Sequence, residues 1–79
     1  MNANLKNVLG LAYRAKVLSQ SPIQVAFSAF SKAASADPEF LAAAQAELAR
    51  AQAIEDGRCF ISKQNTEFLT RAFELTGQK

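Results

Sequence analysis

Cys59 is the one side chain in this sequence whose type suits strong nucleophilic chemistry, and Arg58 and Lys63 lie close enough along the chain to favour its thiolate. The same residue, set between Gly57 and Phe60, also reads as a small buried hydrophobe, and that structural reading is preferred because free cysteines are commonly buried. No histidine occurs. Its absence removes Ser–His and Cys–His pairs, imidazole acid–base catalysis and imidazole metal ligands together. One cysteine cannot build a thiolate zinc site, and three widely separated glycines form no phosphate-cradling loop. Glu47, Glu55 and Asp56 gather acid in one stretch, but calcium loops spread their oxygens around a sharp turn, whereas these acids read as the solvated end of a helix. The chemistry therefore points to a chain with no catalytic residue, no metal ligand and no cofactor.

Charge is unevenly placed. Residues 1–36 carry Lys6, Arg14, Lys16 and Lys32 and no acid, while residues 37–79 carry five bases against seven acids. Such polarity can steer a partner or help subunits pack head to tail, and it also fits an unevenly charged solvated surface. The four bases are the candidate nucleic-acid contacts. A recognition helix needs exposed residues that reach base edges, and the second helix offers only Gln24 and Lys32 for that purpose. Salt-labile, sequence-independent binding is the most this footprint supports. Tyr13, between basic neighbours, suits stacking on a base or, more simply, covering a helix seam with its hydroxyl in water.

Four helices must position these groups. Asn4 reads as the cap of a helix over about 5–18, in which Leu5, Val8, Leu9 and Ala12 share one face. Gly10 weakens it by about 1 kcal/mol unless something packs closely there. Ser21 and Pro22 mark the start of a second helix, 22–35, with Ile23, Ala26, Phe27, Phe30 and Ala34 inward and Phe27 and Phe30 as core anchors. Asp37-Pro38-Glu39 repeats the start signal for a third, 38–56, with Leu41, Ala44, Leu48 and Ala51 inward and Gly57 closing it. Arg58-Cys59-Phe60-Ile61 fits either an extended connector or a helical turn. Asn65 then caps a last helix, 66–76, whose apolar side is Phe68, Leu69, Ala72, Phe73 and Leu75, and Gly77 ends it. The expected fold is an all-α bundle of about four helices forming one domain over 1–79.

The third helix carries more apolar surface than one core requires. Ala42, Ala46, Ala49 and Ala53 form a narrow stripe nearly opposite its inward face, with Gln45 and Gln52 on one edge and Glu39 and Arg50 on the other. A smooth alanine strip lets another helix approach closely, so these four residues and Arg50 are the candidate partner-binding positions. Alanine is also the best helix former, which accounts for the stripe with no partner at all.

Leu, Ile, Val and Phe make up 20 of the 79 residues, enough for a folded core, whereas 16 of the hydrophobic residues are alanine and bury little area. So thin a core favours association, either with another protein or with further copies of the chain. Lys6, Gly10, Arg14 and Lys16 interrupt any signal-like apolar run, no stretch approaches the roughly 20 apolar residues that cross a bilayer, and a single cysteine suits a reducing compartment. A cytoplasmic protein with no membrane partner is expected.

The run from Ser35 to Leu48, SADPEFLAAAQAEL, resembles the helix-turn-helix corner of type III secretion needle and inner-rod subunits. That resemblance covers under a fifth of the chain, and it implies a short helical hairpin that polymerises. The family's helix-continuous C-terminal segment has no counterpart here, because Gly57 interrupts the chain. Taken together, the residues describe a non-enzymatic helical interaction protein of the regulator, inhibitor or adaptor kind, a class that includes accessory proteins of phages and mobile elements. Nucleic-acid binding through the basic half and self-assembly as a structural subunit are the alternatives.

Overall fold

The computed structural model describes residues 2–54 and 60–77, which form four helices: α1 (Ala3–Lys16), α2 (Ile23–Ala36), α3 (Phe40–Ala53) and α4 (Phe60–Thr76). No strand occurs among the described residues. The helices associate as two pairs, α1 with α2 and α3 with α4, and the pairs close on one another across a shared core. Its radius of gyration, 11.6 Å, is close to the value for a compact chain of this length. Consecutive α2 and α3 touch each other least, so the Asp37–Glu39 turn is a corner between pairs. This differs from the isolated hairpin that the needle-subunit resemblance implies.

Phe30 sits at the centre of the core and is fully buried. Its ring meets Phe40 edge-on at 5.0 Å, Phe73 at 5.3 Å and Phe68 at 6.3 Å, so one side chain of α2 links α3 and α4. Edge-to-face contact places the positive ring edge on a negative ring face and adds about 0.5–1.5 kcal/mol per pair beyond burial. Leu5, Val8, Leu9 and Ala12 of α1 and Leu69 and Ala72 of α4 complete the packing. Phe27 is only partly buried and stacks on Phe68 at the core's edge, with ring centroids 5.0 Å apart. It supports the core from its rim and is not a second anchor.

The helix starts depart from the expected caps for identifiable reasons. Asn2, and not Asn4, caps α1: its Oδ1 accepts from the backbone N–H groups of Asn4 (2.9 Å) and Leu5 (3.1 Å). Asn4 lies in the first turn, and its amide reaches Asp37 instead. Ser21 caps nothing. Pro22 takes the N-cap position without a side-chain bond, and the Ser21 hydroxyl oxygen is buried without a partner among the described residues. Around Asp37 the chain makes a turn before it becomes an α-helix. The carboxylate accepts from Glu39 N–H at 3.0 Å, and Phe40 N–H bonds the Asp37 carbonyl at 3.1 Å, so α3 begins at Phe40 and not at residue 38.

The largest departure is α4, which begins at Phe60 and absorbs the polar run Ser62-Lys63-Gln64-Asn65-Thr66. Asn65 is therefore interior to a helix and is not a cap. Thr66 Oγ1 donates back to the Ser62 carbonyl at 2.9 Å, a local bond that lets such residues sit within a helix. Leu75, expected inward, is 55% exposed. At the other end the expectation holds, since Gly77 terminates α4 with φ at +75°, the left-handed conformation that glycine adopts without steric cost. Gly57 and Cys59, with Glu55, Asp56 and Arg58, fall outside the described residues.

Candidate interaction surface on the third and fourth helices

The side chains of α3 sort into a buried face and an exposed one. Phe40, Ala44, Glu47 and Ala51 are buried, while Leu41 and Leu48 lie at the edge. At 100° per residue this is a roll of about 50° from the face centred on Leu41, Ala44, Leu48 and Ala51. Phe40 drives the roll, because its ring fills the space beside Phe30 that a leucine would fill less well. Glu47 is carried inward with it.

That burial sets a problem in electrostatics, because a carboxylate with 7% exposure has lost most of its water. Arg50, one turn on, answers it with two bonds. Nε donates to Oε1 at 3.0 Å and Nη2 donates to Oε2, forming the parallel fork that a guanidinium makes with a carboxylate. Asn65 of α4 donates a longer bond to Oε2, at 3.5 Å. The Arg50 bonds hold the Glu47 carboxyl below its ordinary range despite the opposing effect of burial, and Asn65 adds to the lowering. By sequence alone Glu47 groups with Glu55 and Asp56 at a solvated helix end. The i, i+4, i+7, i+11 series Phe40, Ala44, Glu47, Ala51, with a base at i+3 from the acid, is the signal that would have placed it inside.

Ala42, Ala46, Ala49 and Ala53 are all exposed, and they form the outer ridge of α3. The ridge separates two depressions. On one side, Gln45, Leu48, Ala49 and Gln52 face Thr70, Phe73, Glu74 and Gly77 across a groove of about 500 Å³ between α3 and α4. Leu48 and Phe73 give this groove an apolar floor. On the other side, Ala43, Ala46, Glu47 and Arg50 border a smaller hollow against Asn2 and Leu5. The stripe is thus split, with Ala49 in the groove and Ala46 in the hollow. Arg50 is exposed on the Ala46 side, with its guanidinium held on Glu47.

The candidate nucleic-acid contacts do not converge. Lys6, Arg14, Lys16 and Lys32 are all exposed, and the three on α1 spread over about 160° of its circumference at 100° per residue. Lys16 borders a hollow with Gln64, Glu67 and Arg71 of α4, whereas Lys32 borders the α1–α2 seam with Asn4 and Asn7. Tyr13 is partly exposed at 38%. Asn2 and Asn4 donate to one Asp37 oxygen at 3.1 and 3.0 Å, tying the start of α1 to the α2–α3 corner. These bonds, with that from Glu39 N–H, hold the Asp37 carboxyl below its ordinary range, the Asn2 bond contributing most.

Among the described residues, no three Cys, Asp or Glu side chains gather closely enough to hold a metal ion, and no helix is long and apolar enough to cross a membrane. Fold and surface together define a small all-α four-helix bundle with a solvent-open groove on its second helix pair. No protein-family model matches the chain, and comparisons with curated proteins and with solved structures find no match either.

Proposed function

We propose that this protein is a non-enzymatic interaction protein that acts by occupying the surface of another macromolecule through the α3–α4 face. The observation that supports this reading is the groove itself. Leu48 and Phe73 form an apolar floor within reach of solvent, Ala49 leaves room above it, and Gln45, Gln52 and Thr70 supply hydrogen-bonding groups at its margins. A groove of this make-up suits the apolar edge of a helix, since close approach of two helices needs small residues at the crossing. The absence of histidine from the chain supports the non-enzymatic part of the reading. On this reading the protein is a regulator, inhibitor or adaptor acting in the cytoplasm, a class that includes the accessory proteins of phages and mobile elements.

Affinity capture from the native host, run in parallel with the wild-type chain and an Ala46→Arg/Ala49→Glu variant, tests the proposal. Both positions are exposed, so the variant is expected to keep its helical spectrum. The reading requires a macromolecule that wild type retains and the folded variant loses. Equal retention by both would remove the α3–α4 face from the account.

A further inference from the structure

We draw no further inference here: the strongest candidate, the groove between α3 and α4 floored by Leu48 and Phe73, belongs to the docking face already proposed, and nothing in the structure shows what covers it.

Discussion

Arg50 reaches one turn back along α3 and grips both carboxylate oxygens of Glu47, an acid with 7% exposure on the face that packs against the core. The arginine is itself more than half exposed, so the pair has one end in the protein and one in water. Removing the two partners should therefore have unequal effects. Arg50→Ala leaves a desolvated carboxylate with only a long Asn65 bond and is expected to cost about 2–3 kcal/mol, whereas Glu47→Leu, which removes the buried charge itself, should lie within about 1 kcal/mol of wild type. Urea denaturation of both variants measures the asymmetry, and equal losses would refute it. The pH dependence follows from the same contact. The folded-state pKa of Glu47 lies below its ordinary value of 4.5, so the stability it contributes is fully present above that value and is lost as pH falls below it, through the depressed folded-state pKa. In Glu47→Leu this part of the acid-induced loss should disappear.

Phe30 and Phe27, three residues apart on α2, should behave differently when truncated. Phe30→Ala removes a ring in contact with three others at the centre of the core and is expected to cost about 3–5 kcal/mol, a large share of so small a fold's stability. Phe27→Ala loses one stacked contact at the rim and should cost about 1–2 kcal/mol. Thermal melts of the two variants give the order, and a reversed order would mean that the core is centred elsewhere.

Gly10 offers a stabilising change. A methyl group built on it meets nothing within 4 Å, so no close approach explains a glycine in mid-helix. Gly10→Ala should add about 1 kcal/mol by helix propensity. In a chain of this length that corresponds to a rise in melting temperature of about 4–8 °C.

These departures show where the sequence was readable and where it was not. Fold class, helix number and the inward faces of α1 and α2 follow from apolar spacing, because Leu5, Val8, Leu9, Ala26 and Phe30 dominate their helices. Alanines lie on both the buried and the exposed sides of α3, so its periodicity underdetermines its roll, and one large residue at the start, Phe40, decides it. Local propensity also misplaced the start of α4, where Ser62, Asn65 and Thr66 resemble a capping segment but find partners within the bundle. The ridge of Ala42, Ala46, Ala49 and Ala53 was legible as a stripe. The groove beside it was not, since half of its lining comes from α4 and depends on how the two helices pair.

DNA binding is expected to be weak and independent of sequence. The three bases of α1 spread over about 160° of its circumference and Lys32 borders the α1–α2 seam, an arrangement that disfavours a shared phosphate track. Titration of duplexes of different sequence at low and then physiological salt should show affinity that vanishes as counterions are restored. A complex that persists and distinguishes sequences would make nucleic acid the partner.

The α3–α4 groove is expected to be covered by a partner in the cell. A photo-crosslinking residue placed at Ala49 in the groove, compared with one at Asn7 on the exposed side of α1, measures this directly. The prediction is a discrete crosslinked species from position 49, with none from position 7, and its mass tells a second copy of the chain from another macromolecule. No species from position 49, or the same yield from both positions, would contradict the claim that this groove is the interaction surface.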